Sequence, residues 1–272
     1  MNKKTYVITG ATSGIGKKLV EILSKNNIVF AGYRSEKKAE DLVKISENIQ
    51  PFYVDYAEPE TIKGAVDFIK SKVEKIDTLI NVAGCVVAGP VEKLLIEEVR
   101  RQFNVNVFGH LEMAQGLIEK LKNGRIINIS SMASYAIFPF ISPYCASKRA
   151  LDIFFNSFAI ENKHNIKVIS IKPGVIVTPL WEKSIKENTE AMNFCEGYEK
   201  EMEFIANNAR KNEEKGLGVN EVVRVILKAD RAKNPRLSYT VGPDAFGAYL
   251  ISKLPQILIN KLVKIGLKLR MR

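Results

Sequence analysis

Tyr144 and Lys148 stand four residues apart in the segment Tyr144-Cys145-Ala146-Ser147-Lys148. On a helix, residues i and i+4 share a face, so this spacing predicts a phenol and an ammonium projecting into one site. A free tyrosine titrates near ~10, too high for acid–base work at neutral pH. A neighbouring ammonium favours the phenolate and is expected to lower that value. A shift of about three units needs roughly 4 kcal/mol of differential interaction. Upstream, just past a predicted strand, lies Ser131. Its hydroxyl can hold a substrate oxygen where charge develops.

A second chemistry is written near the N-terminus. Thr9-Gly10-Ala11-Thr12-Ser13-Gly14-Ile15-Gly16 follows an apolar strand and opens a helix. Gly10 permits a tight turn, Gly14 lets the backbone approach a pyrophosphate, and Gly16 allows close helix–strand packing. The helix N-terminus adds free N–H groups and a positive dipole end. Thr12, Ser13 and Ile15 therefore join the three glycines as candidates for holding a dinucleotide. The second strand ends Ala31-Gly32-Tyr33-Arg34-Ser35, without the acid that meets a free ribose 2′-hydroxyl. Arg34 is placed to pair with a 2′-phosphate, helped by Ser35, Lys37 or Lys38, which points to NADP(H).

These groups need a scaffold. Short runs rich in Val and Ile occur at Thr5–Thr9, Ile28–Ala31, Pro51–Val54, Thr78–Val82, Arg125–Ile129 and Val168–Lys172, with a weaker one at Leu237–Val241. Helical spacing of apolar residues fills Ile15–Lys25 and Ile62–Val73 between them. Alternation of this kind predicts an α/β fold: a doubly wound parallel sheet of about seven strands with helices on both faces, the Rossmann arrangement. The 272 residues contain no Pro/Gly/Ser-rich linker and no internal repeat, so one domain, 1–272, is expected. Two segments fall outside the alternation. Residues 175–218 form a long insertion, read as a lid or binding segment. Residues 245–272 form an amphipathic basic tail.

Here the chain resembles the short-chain dehydrogenase/reductase family. The matching pieces stand in family order: Thr9–Gly16, Asp55, Asn81-Val82-Ala83-Gly84, Asn106, Ser131, Tyr144 with Lys148, and Pro173-Gly174 followed by Thr178. The resemblance covers Lys4 to Thr178 well. It implies hydride transfer between NADP(H) and a carbonyl or secondary alcohol. Ser131 would orient the substrate oxygen, Tyr144 give or take its proton, and Lys148 tune Tyr144 and grip the nicotinamide ribose. Asn106 would hold a water in a proton relay behind Lys148. Asp55 and Tyr56 would meet the adenine side, Asn81, Ala83 and Gly84 the adenosine, and Pro173, Gly174, Ile176 and Thr178 the nicotinamide end. Val82 departs from the pattern, since many members carry a second Asn there. The C-terminal pattern resembles the branch of retinol, hydroxysteroid and 3-hydroxybutyrate dehydrogenases. The family also implies a homodimer or homotetramer.

Substrate and location follow less directly. Val86, Val87, Phe138, Phe140, Ile141, Val175 and Trp181 are expected to line the pocket, which favours a lipophilic steroid-, retinoid- or long-chain-like substrate. The net charge is +11, and the stretch from Ala245 on supplies six basic residues with no acid. Apolar positions recur there at helical spacing, with Pro255 starting a new helix. The tail is expected to cover the cleft, pack on a partner subunit or make peripheral contact with a membrane. No basic stripe interleaved with aromatics marks a nucleic-acid site. No leader peptide is read at the N-terminus. Cys85, Cys145 and Cys195 fit no metal or disulfide spacing and are read as free thiols, which suggests the cytoplasm. Two rival functions are weaker. A non-catalytic NADP-binding sensor on this fold usually lacks the Tyr or the Lys, and an epimerase or dehydratase needs a larger C-terminal domain.

Overall fold

The computed structural model describes residues 3–178, 180, 184 and 196–270. Seven strands form one sheet: β1 (Thr5–Ile8), β2 (Ile28–Tyr33), β3 (Ile49–Tyr53), β4 (Thr78–Asn81), β5 (Arg125–Ile129), β6 (Lys167–Pro173) and β7 (Ser238–Val241). The order is β3-β2-β1-β4-β5-β6-β7, and every pair is parallel. The chain therefore winds outward twice from β1, and the reversal between β1 and β4 opens a crevice at the strands' carboxyl ends. All seven expected strands are present, within a few residues of their expected ends.

The strands alternate their side chains between two cores. On one face Val7, Phe30, Phe52 and Ile126 pack with α3 (Pro59–Lys72), α5 (Gly109–Leu117) and α6 (Ser142–Glu161), through Ile62, Met113, Leu117 and Phe155. On the other, Tyr6, Ile8, Ile127 and Ile169 pack with α1 (Gly14–Leu23), α2 (Glu36–Val43) and α8 (Val219–Arg231), through Leu19, Leu42 and Ile226. Each such side chain, when fully buried, contributes about 1.5–3 kcal/mol. Between α4 (Ile96–Phe103) and α5 the chain widens into a π turn, Asn104–Phe108.

The insertion is tied at its ends: Leu217 N–H donates to Val175 O at 2.8 Å, and Val177 N–H donates to Leu217 O at 3.0 Å. Within it runs α7 (Glu199–Lys215). After β7 come α9 (Pro243–Ile251) and α10 (Gln256–Arg270). Neither Cys85 nor Cys145 forms a disulfide. Cys195, like Trp181, lies outside the described residues.

Candidate active site

Gly10 and Gly14 take φ of +62° and +49°, the left-handed region that disfavours a Cβ. A Cβ on Gly10 would sit 2.9 Å from Ala83 N, and one on Gly16 only 2.2 Å from the Gly10 carbonyl oxygen. The Thr9 hydroxyl accepts from Val82 N at 3.1 Å and Ala83 N at 3.4 Å, tying the loop after β4 to this turn. Gly10, Thr12, Ser13, Gly14 and Ile15 face the crevice, as do Ala83 and Gly84. Gly16 and Asn81 instead support it from behind. Gly16 packs under Gly10, and Asn81 is fully buried and donates to Asn128 Oδ1 at 2.8 Å.

Past the end of β2, Arg34, Ser35 and Lys38 line the crevice, and Lys37 does not. Arg34 is half-exposed, with Nη1 3.5 Å from Asp55 Oδ2. Asp55 Oδ1 also accepts from Ala57 N at 2.9 Å. Glu36 accepts from the Tyr33 hydroxyl at 3.3 Å and stands outside the crevice lining. Tyr56 borders the crevice, yet its ring packs edge-on against His110 with centroids 5.0 Å apart, and no Cβ would fit between it and Gly109.

Tyr144 and Lys148 lie on the same face of α6, as their spacing requires, with Lys148 Nζ 5.8 Å from the Tyr144 ring centre. Ser131 caps a short 3-10 turn, its Oγ accepting from Ala133 N at 3.1 Å. Ser131 and Tyr144 both line the crevice, and the serine hydroxyl favours the ionised phenol. Lys148 Nζ donates to Ile129 O at 2.9 Å. The expected lowering of the phenol's pKa is reversed here. Burial pushes Tyr144 up to about 12, and the Ser131 hydroxyl only partly opposes it. Burial also lowers Lys148 to about 8, with the Asp152 charge opposing. The ammonium sits 5.8 Å from the ring centre and donates a hydrogen bond to Ile129 O, and desolvation dominates the phenol.

Asn106 lies in the π turn, fully buried, and does not line the crevice. Its Oδ1 accepts from Cys85 N at 2.9 Å, while Nδ2 donates to Cys85 O at 3.0 Å and Ser147 Oγ at 3.0 Å. A Cβ on Gly84 would lie 3.4 Å from Asn106 Oδ1 and 3.6 Å from Lys148 Nζ, so the two side chains converge beside that glycine. Gln102, one turn earlier, was not singled out in the sequence. Its Oε1 accepts from Val87 N at 2.9 Å and its Nε2 donates to Cys85 O at 3.4 Å. Together they fix the loop after β4 by its backbone, and the i, i+4 spacing of two amides was the available signal. His110, next on this stretch, has its Nε2 2.9 Å from Ala83 O, and burial lowers its pKa to about 3.

Asp244 escaped the sequence reading as well. Its carboxylate accepts from Val175 N at 2.7 Å and Ala245 N at 2.9 Å. It lies so close to Gly174 that a Cβ there would be 1.9 Å from Asp244 Oδ1. An acid in the first turn of a helix starting at Pro243 was the signal. Pro173, Gly174, Ile176 and Thr178 line the crevice, with Thr178 against Gly14.

The crevice encloses about 1010 Å³. Of the expected pocket residues, Phe138, Ile141 and Val175 line it. Val86 and Val87 do not: they are 2% and 3% exposed and serve the framework. Phe140 turns away to meet the Tyr198 ring at 6.3 Å. Their places are taken by Leu180, Phe204 and Ile205, and by α10 through Ile259, Val263 and Leu267.

The glycine cradle, the free N-terminus of α1, the basic group at Arg34 and the crevice running on to Tyr144 fit a dinucleotide. A parallel sheet in this order, with that turn at its switch point, defines the doubly wound dinucleotide-binding class. The family model described as short chain dehydrogenase matches residues 4–189. The chain belongs to the short-chain dehydrogenase/reductase family and is an oxidoreductase of that family. It is similar to a 3-ketodihydrosphingosine reductase of Bacteroides thetaiotaomicron, 30% identical over 249 residues, 89% of this chain and 89% of that protein. It is also similar to an NADPH-dependent 3-dehydrocapnine reductase of Ornithobacterium rhinotracheale, 30% identical over 254 residues and 87% of each. A short-chain dehydrogenase structure from Streptomyces avermitilis shares the fold, with TM-score 0.79, 22% identity and 98% of each chain covered.

Proposed function

We propose that this enzyme interconverts a lipophilic ketone or aldehyde and its alcohol with NADP(H), Tyr144 carrying the oxygen's proton. The observation that bears most weight is that Ser131, Tyr144 and Lys148 line one apolar crevice together, with Lys148 one turn on from Tyr144 and its Nζ 5.8 Å from that ring's centre. When bound, the nicotinamide supplies or accepts the hydride. Ser131 and Tyr144 hold the substrate oxygen between two hydroxyls. With its phenol at about 12, Tyr144 is protonated across neutral pH and donates to the alkoxide that develops on reduction. Lys148 keeps a positive charge beside that oxygen below about pH 8. Gln102 and Asn106 hold the wall opposite. At the other end of the crevice Arg34, Ser35 and Lys38 meet the 2′-phosphate that distinguishes NADP(H).

Reduction is the direction this reading takes, since two relatives are reductases by name. The lipophilic reading rests on the wall made by Phe138, Ile141, Leu180, Phe204, Ile259 and Val263. The decisive assay follows loss of NADPH absorbance with a panel of ketones. Turnover of long-chain or polycyclic ketones above small charged keto acids is the expected result; the reverse preference overturns the lipophilic reading, and full activity in Tyr144→Phe overturns the proton assignment. We also place Phe108, Ile153 and Phe154, between 45% and 52% exposed, at a contact between copies, which light scattering on a Phe154→Glu variant tests.

A further inference from the structure

Helix α10 presents apolar side chains in two directions. Ile259, Val263 and Leu267 close the crevice. Leu258, Ile265 and Leu269 recur at i, i+7 and i+11 and are 42%, 56% and 66% exposed, while Leu262, 44% exposed, sits between the two sides at the crevice rim. Phe246, Leu250 and Leu254 extend exposed apolar surface through α9 and the link. Beside the outer strip of α10 runs a second exposed line, Lys261, Lys264 and Lys268. From Ala245 onward the chain carries six basic residues and not one acid.

An apolar strip of this length marks an interaction surface. Lysine stems can lie along apolar surface while their ammonium groups reach out to polar surroundings. A helix with apolar and lysine-rich lines side by side has the make-up of one that lies in a membrane interface. Among the described residues, no helix is long and apolar enough to cross a membrane. We propose that the outer face of α9 and α10 docks on an anionic phospholipid bilayer, so that the crevice takes its substrate from the acyl layer. The docking rests on charge and shape complementarity: an apolar strip to enter the acyl boundary and an acid-free basic line to meet phosphate headgroups. The delivery of substrate rests also on the lipophilic reading above.

Vesicle flotation of the full chain tests this. The protein is expected to float with mixed phosphatidylcholine–phosphatidylglycerol vesicles and not with phosphatidylcholine alone. Salt at 1 M, where the screening length is about 3 Å, should release it. The K261Q/K264Q/K268Q variant should partition about a hundredfold more weakly, since each lysine near such a surface contributes roughly a fivefold factor. Ile265→Ser with Leu269→Ser should weaken it too. Both variants should reduce a small water-soluble ketone as the parent does, which shows that they are folded. Absence of flotation, or flotation unaltered by both variants, overturns the proposal. So does a fall in solution mass of the apolar variant without vesicles, which would make the face a contact between copies. Flotation without turnover of any lipophilic ketone would leave the docking intact and remove the substrate reading. Turnover of detergent-dispersed ketones without flotation would do the opposite.

Discussion

Asp152 and Lys172 meet inside the protein, Oδ2 to Nζ at 2.7 Å, with 2% and 8% of their side chains exposed. Asp152 stands one turn beyond Lys148 on α6 and supplies the charge that opposes that lysine's depressed pKa. Lys172 in turn lies 4.3 Å above the Tyr135 ring, whose hydroxyl is 2.8 Å from Thr240 Oγ1. The row connects the proposed proton site to β7. A buried pair of this kind adds little net stability, yet breaking it from one side leaves an uncompensated charge.

For Asp152→Asn the expected loss of stability is about 3–5 kcal/mol, read by urea unfolding. The alkaline limb of kcat/KM should also move to lower pH, because Lys148 loses the anion that supports its charged form. Asp152→Asn combined with Lys172→Met should recover most of the stability and keep the displaced limb. An unmoved limb in both variants would mean that Asp152 serves packing alone.

Tyr144→Phe removes the proposed proton donor and leaves the glycine cradle untouched. Ketone reduction should fall by at least about a hundredfold, while NADPH fluorescence titration gives binding like the parent's. In the parent, reduction should decline as pH rises through about 8, where Lys148 loses its charge, with Tyr144 still protonated. A rate that stays flat from pH 7 to about 10 would contradict the role of Lys148.

His110 is buried neutral, and its pKa in the folded chain is near 3 against an unfolded value near 6.5. Between these values the unfolded chain binds the extra proton, so stability falls as pH drops below about 6.5. The slope approaches about 1.4 kcal/mol per pH unit from this group. Urea unfolding at pH 7 and pH 5 should show that loss in the parent and a shallower one in His110→Gln. Equal acid slopes would assign the acid sensitivity to other groups.

Arg34→Ala tests cofactor choice. A hydrogen bond to a charged group contributes about 1.5–3 kcal/mol, so the KM for NADPH should rise by roughly tenfold to a hundredfold while that for NADH changes little. Equal losses with both cofactors would place Arg34 in the support of Asp55 instead, through their 3.5 Å contact.

Much of the scaffold was readable from local pattern. The seven runs of Val and Ile are strands because buried parallel strands need apolar residues on both faces. The glycines of the first turn declare themselves because two take left-handed φ and a Cβ on the third would lie only 2.2 Å from the Gly10 carbonyl oxygen. Tyr144 and Lys148 were legible because four residues make one helical turn. Val86, Val87 and Phe140 were misplaced because an apolar type does not say which wall it joins. Gln102 and Asp244 went unnoticed because their work is done on backbone groups of distant segments, Val87 and Val175.

By itself, then, the sequence determined the strands, the turn after β1 and the Tyr144–Lys148 pair, all consequences of short-range geometry. The tertiary structure alone decided three further matters. It decided the charge states around Tyr144, since desolvation depends on everything packed about the phenol. It placed the inner side of α10 on the crevice and left the outer side exposed. It also brought Asp152 and Lys172 together from α6 and β6, because no local spacing reports a pairing across elements.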